Sequence, residues 1–255
     1  MTVTYGSKND GTAKDFQCES IVRAAIMSPE IAAIIASLST TSQSPSQSNP
    51  VSQSPQSPPK YIPTQRHRLI NLYNNVDVIC RACALTGAEG CARAFVQAPP
   101  PAIVLCSDRL TAKEIPEVLI HELTHMFDLE KKKMDFKQCD ELAYSEIRAA
   151  RNAECTSLTT ESYPLLRLCK TVPSANASAG DSAADDLPLF SGRRVQRTAA
   201  RICEDAVKSC ALAKAAFSTE ILFPGKGREC VERVFEKAFG DREPFGDREP
   251  STDTH

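Results

Sequence analysis

Leu119-Ile120-His121-Glu122-Leu123-Thr124-His125-Met126-Phe127-Asp128 decides the reading of this chain, because it sets the pattern H-E-x-x-H inside a run with helical spacing. At about 100° per residue, His121, Glu122, His125 and Asp128 fall in one arc of a helix, and Ile115, Leu119, Leu123, Met126 and Phe127 fill the opposite arc. One arc suits a core and the other a cleft. Two imidazoles one turn apart can reach a single metal ion, and two neutral nitrogen ligands with an open position suit Zn²⁺. A carboxylate directly after the first histidine stands where it can take a proton from an attacking water. The expectation is one zinc ion on His121 and His125, with Glu122 as the catalytic base of a zinc metalloendopeptidase. The alternative is a wet helix face with two chance histidines, but the chain has only 4 histidines, and the glutamate sits where the base must be.

H-E-x-x-H leaves a third ligand open. The extended motif with a third histidine fails here, since position 128 is Asp128 and position 131 is Lys131. Asp128 and Glu146 are the candidates. Asp128 lies about 10 Å of helical rise beyond His121 and better suits a supporting role, bonding a histidine N–H or pairing with Arg148. Glu146 is centred on the small-residue arc of a second predicted helix, from about 140 to 155, formed by Cys139, Leu142, Ala143, Ala150 and Ala153. A buried lone carboxylate needs a charged partner, so Glu146 is the favoured third ligand.

The rest of the chain frames that pair of helices. At 255 residues, 42% apolar and 30 basic against 32 acidic side chains, it suits one domain with a sizeable core and gives no basic patch for nucleic acid. The first 36 residues read as a helical segment, with Pro29 splitting two helices. Residues 37–60, built from Ser, Gln, Pro and Thr, read as a disordered insertion. The metallopeptidase domain is expected over 61–250, interrupted by a flexible insertion at 171–192, with a tail at 251–255. Within it, Val76 to Cys80 reads as a strand, as do Ala92 to Val96 and Ala102 to Cys106. Thr111 and Glu114 have capping-box spacing ahead of the metal helix, which should end near Lys131. Further helices are expected from Arg193 and after Phe223-Pro224-Gly225, and the end repeats FGDREP in tandem. The fold class is α+β, a zincin-like metallopeptidase that is mostly helical with a small sheet preceding the H-E-x-x-H helix. No apolar run is long enough for a membrane span, and no cleavable targeting segment is recognised at the N-terminus.

Eleven cysteines suggest metal binding or an oxidising compartment, with disulfides favoured. I-V-L-C at 103–106, H-E-L-T-H-M-F-D at 121–128, S-E-I-R-A-A at 145–150, Cys155, Cys203 and V-F-E-K-A-F-G-D-R-E-P-F at 234–245 together resemble the mitochondrial inner-membrane metallopeptidases that mature and assemble a membrane subunit of the ATP synthase. The resemblance implies residence in the intermembrane space, peripheral contact with the inner membrane, and a subunit precursor as protein substrate. Disulfides are also implied, with Cys80, Cys83, Cys106, Cys155 and Cys203 as candidates. Tyr144 and Ala238 stand where relatives carry cysteines, and Cys139, Cys210 and Cys230 are candidate replacements. Two other functions compete: a non-proteolytic assembly chaperone, and a zinc-binding adaptor with a second metal on Cys80, Cys83, Cys91 and Cys106.

Overall fold

A computed structural model of the chain describes residues 13–39, 70–72, 76–86, 89–90, 92–97, 102–156 and 193–246. The expectations for 40–60, for the insertion at 171–192 and for the tail at 251–255 lie outside these residues. Helices α1 (Ala13–Ala25) and α2 (Pro29–Ser39) open the described chain. Pro29 begins α2, where its missing N–H costs nothing, and the Ser28 hydroxyl accepts the Ile31 N–H at 3.3 Å as a cap. The chain therefore bends by 82° between the two helices. No single described helix is long and apolar enough to cross a membrane. Helix α2 runs through Ser39, three residues past the expected boundary at 36, because Ile34, Ile35 and Leu38 still pack on the core.

Strands β1 (Ile70–Leu72), β2 (Val76–Arg81), β3 (Ala94–Gln97) and β4 (Ala102–Cys106) form a sheet in the order β1-β2-β4-β3. β2 and β4 run parallel, and β1 and β3 flank them antiparallel. Every residue of β4 is buried, as an unbroken apolar run in a central strand should be. Its period of two divides the work: Ile103 and Leu105 join the core shared with α1, α2 and α3, while Val104 and Cys106 pack with Cys83, Ile79 and Phe95 on the other face.

Helix α3 (Ile115–Glu130) follows β4. It starts four residues after Thr111. The Thr111 N–H donates to Glu114 at 2.8 Å, so the capping-box contact forms, yet it closes the preceding turn and leaves Pro116 in the first turn of the helix, where proline is tolerated. Leu119, Leu123 and Met126 point into the sheet-side core.

Helices α4 (Cys139–Asn152), α5 (Arg193–Leu222) and α6 (Gly227–Gly240) build a second core. Ala143, Ile147 and Ala150 of α4 meet Cys210, Ala211 and Ala215 of α5 and Val231, Phe235 and Ala238 of α6. Alanines let the three axes approach closely. The turn from α5 to α6 needs its glycines: Gly225 has φ +77°, and a Cβ on Gly227 would lie 2.4 Å from the Glu220 nitrogen.

Disulfides staple both cores. Cys18 pairs with Cys80 and Cys83 with Cys106 on the sheet side; Cys139 pairs with Cys230 and Cys155 with Cys210 on the helical side. Cys203 is disulfide-bonded as well. All three candidate replacements, Cys139, Cys210 and Cys230, are thus used. Tyr144 and Ala238 lie in the same apolar cluster, and the covalent link between α4 and α6 is made at Cys139–Cys230. The N-terminal helices belong to the sheet-side core and are tied to β2 by Cys18–Cys80, so they are no separate unit. The adaptor reading loses its ligands, because Cys80, Cys83 and Cys106 are spent in bridges. The result is an α+β fold, mostly helical, with the small sheet ahead of α3.

Candidate metal centre

Helix α3 carries His121 and His125 on the face turned away from the sheet, and α4 crosses that face. The two Nε2 atoms lie 3.1 Å apart. Glu146, from the middle of α4, places Oε2 3.6 Å from His121 Nε2 and Oε1 3.5 Å from His125 Nε2. One ligand atom from each of the three residues fits within 4.8 Å of the others. Glu146 is buried, and its Oε2 has no hydrogen-bond partner among the described residues.

The outer nitrogens fix which way both rings face. Glu154, in the turn after α4, accepts from His121 Nδ1 at 3.0 Å. The Ser145 hydroxyl has one hydrogen, which it donates to the Asp128 carboxylate at 2.7 Å, so at the His125 Nδ1 contact of 2.8 Å it accepts. Both imidazoles then carry Nδ1–H and turn Nε2, the atom a metal would take, toward Glu146. Asp128 is turned to Arg148, with which it forms an ion pair in which neither side chain is exposed. Of the two supporting roles considered for it, the pairing with Arg148 is the one in place; it bonds no histidine N–H directly and instead accepts from the Ser145 hydroxyl. Arg148 also lies 3.3 Å from Asp241 and donates to the Glu243 carbonyl.

Charge at the centre is crowded. Burial pulls the His121 imidazole down, but Glu154, Glu146 and Glu122 outweigh it and hold it at about 10. His125 is pushed well below its ordinary value by burial, with His121 and Arg148 adding to the effect. Burial raises Glu122 to about 7 against the pull of His121, and raises Glu146 to about 7 likewise. Glu154 is buried too, yet the His121 charge and hydrogen bond bring it below the usual carboxylate range. Three carboxylates around two imidazoles, with an unpartnered carboxylate oxygen among them, make a donor set that fits a divalent cation of borderline softness such as zinc.

The structure brings His121, Glu122, His125 and Glu146 together, as their spacing suggested, and sets Asp128 and Arg148 behind them. Ser145 and Glu154 escaped the sequence reading. Ser145 immediately precedes Glu146 and reads as an ordinary helix residue; Glu154 lies beyond the helix end, where periodicity gives no direction. Phe136 packs edge-on to His125, with ring centroids 5.6 Å apart. His67 lies outside the described residues.

Residues 18–170 match the Peptidase M76 family, and the match spans more than half of the chain and includes both helices of the centre. An 81-residue stretch is 35% identical to the mitochondrial inner membrane protease atp23 of Schizosaccharomyces pombe. That stretch is 31% of this chain and 40% of the relative, so well under two thirds of the relative's length is covered. No solved structure matches. With H-E-x-x-H, its crossing helix and the family match over both, the chain belongs to the Peptidase M76 family.

Proposed function

We propose that the protein is a zinc-dependent endopeptidase of zincin type, with His121, His125 and Glu146 as metal ligands and Glu122 as the base. The observation that carries this is the convergence of both Nε2 atoms on Glu146, with Glu122 buried beside them. Zinc bound there supplies Lewis acidity toward water and the peptide carbonyl. Glu122 accepts the proton of the attacking water and passes it to the leaving amine, a role that favours a carboxyl poised near neutrality. Glu154 and Ser145 hold the imidazoles in one tautomer, so the ligands need no reorganisation. β3 is an edge strand, paired only with β4 among the described residues, and its outer edge offers backbone groups to an extended peptide.

The place of action we propose is the intermembrane-space side of the mitochondrial inner membrane, in peripheral contact with it. The relative's name and the disulfide content support this, since bridges persist in oxidising compartments. The substrate would be a membrane-subunit precursor of the ATP synthase, with an assisting role in assembly. The test is Glu122→Gln. Hydrolysis of internally quenched peptides should fall by roughly 10²–10⁴-fold while bound zinc, measured by atomic absorption, stays at one per chain. Turnover within threefold of the parent would remove Glu122 as base. Restoration of synthase assembly by the same variant, in cells lacking the native protein, would separate the chaperone role from proteolysis.

A further inference from the structure

We infer that Asp241, in the segment after the last helix, is a positioning residue for the metal centre, acting on His125 through Arg148, Asp128 and Ser145. Each link is a contact already measured. Asp241 Oδ2 lies 3.3 Å from Arg148 Nε. Arg148 pairs with Asp128, and both side chains are fully buried. Asp128 takes the only hydrogen of Ser145 at 2.7 Å, and Ser145 accepts from His125 Nδ1 at 2.8 Å.

A buried guanidinium is held by the charges and acceptors around it. Arg148 pairs by charge with Asp128 on one side and with Asp241 on the other, and its Nη2–H donates to the Glu243 carbonyl, so the tail helps to fix where Arg148 stands. Arg148 in turn holds the Asp128 carboxylate in place as its buried ion-pair partner. Only a carboxylate acceptor compels Ser145 to donate toward Asp128. Were Asp128 to turn away, the Ser145 hydrogen could point at His125 instead, which would favour the tautomer with Nδ1 bare and the proton on Nε2. That tautomer directs an N–H, and no lone pair, at Glu146. Asp241 is itself anchored: Lys132 donates to it from the turn after α3, and the Tyr144 hydroxyl from α4 reaches it at 2.9 Å. Phe245, four residues on, packs against the sheet-side core. The tail is thus built into the fold at the one point where Arg148 needs a second carboxylate.

The test uses Asp241→Asn, which preserves size and the contact with Tyr144 but removes the charge, together with Ser145→Ala and the double variant. Zinc affinity is measured by competition with a chromogenic chelator, and the His125 tautomer is read from ¹⁵N chemical shifts of the imidazole in metal-free protein. Asp241→Asn should weaken zinc binding by about 10–100-fold, as loss of an outer partner does, and shift His125 toward the Nε2–H form. The double variant should bind zinc no more weakly than Ser145→Ala alone, because both changes break one chain. Asp241→Glu should recover part of the affinity. Unchanged zinc affinity and tautomer in Asp241→Asn would overturn the inference, and so would effects that simply add in the double variant, which would mark Asp241 as a general stabiliser. Neither readout needs peptide hydrolysis, so an inactive but zinc-binding protein would refute the proposed function and leave this inference standing.

Discussion

The sheet-side core and the helical core are held together internally in the same way and joined to each other in a different one. Each has its own apolar cluster and two of the four bridges whose half-cystines both lie among the described residues, and none of those four passes from one core to the other. Buried polar contacts cross the boundary: His121 to Glu154, His125 to Ser145, Asp128 to Arg148, and Lys132 to Asp241. The candidate metal centre is part of this boundary. Bridges and apolar clusters serve each core, with Ala153 and Phe245 also reaching into the sheet-side cluster, and the groups that orient the ligands lie where the two cores meet. A zinc ion bound by α3 and α4 would be the strongest cross-link between them.

Three substitutions probe that contrast. The largest effect should come from Arg148→Met, which strands Asp128 and weakens the hold on Asp241. Loss of one partner from a buried ion pair costs about 3–5 kcal/mol, so the urea midpoint of the metal-free protein should drop steeply and zinc affinity should fall with it. A change under 1 kcal/mol would mean that the boundary is apolar in its energetics. Next comes Cys139→Ser with Cys230→Ser, which opens a bridge of sequence separation 91 within the helical core. It should cost about 2–4 kcal/mol of stability and leave zinc affinity within a factor of three, because the bridge touches no ligand. A large loss of zinc would blur the division between staple and seam. The smallest effect on stability is expected from Glu154→Gln, which should weaken zinc about 10–100-fold through the His121 ring while hardly moving the urea midpoint. If stability falls as far as for Arg148→Met, Glu154 is a structural prop first.

The sequence made the inner ring of the centre legible because its chemistry coincides with a period. His121, Glu122 and His125 announce themselves by spacing, and Glu146 by being a carboxylate on an alanine-rich arc. The strands and helices likewise followed their apolar rhythm to within a few residues, Pro29 and Pro116 marking starts for the reasons proline usually does. What stayed hidden has a common cause. Ser145 and Glu154 matter through partners on another element, 20 and 33 residues away, and Asp241 through a chain of them, with Tyr144 97 residues away; no local pattern encodes such contacts. The bridges fell between these cases. Among the described bridged cysteines all but Cys18 could be named as candidates, but which pairs close depends on how the elements pack, as α1 against β2 at Cys18–Cys80 and α4 against α6 at Cys139–Cys230.

The order of these parts along the chain sets the order in which the protein can become competent. The histidines, Glu122 and Glu146 all precede residue 147, while Asp241 and Phe245 come after every described helix. A polypeptide threaded through a narrow passage with its N-terminus leading would present its ligands early and its clamp last. Until the tail arrived, Arg148 would lack its second carboxylate and His125 would be free to sample both tautomers, so a half-delivered chain would hold metal weakly. Full-strength metal binding would then wait for the last described segment to reach its place.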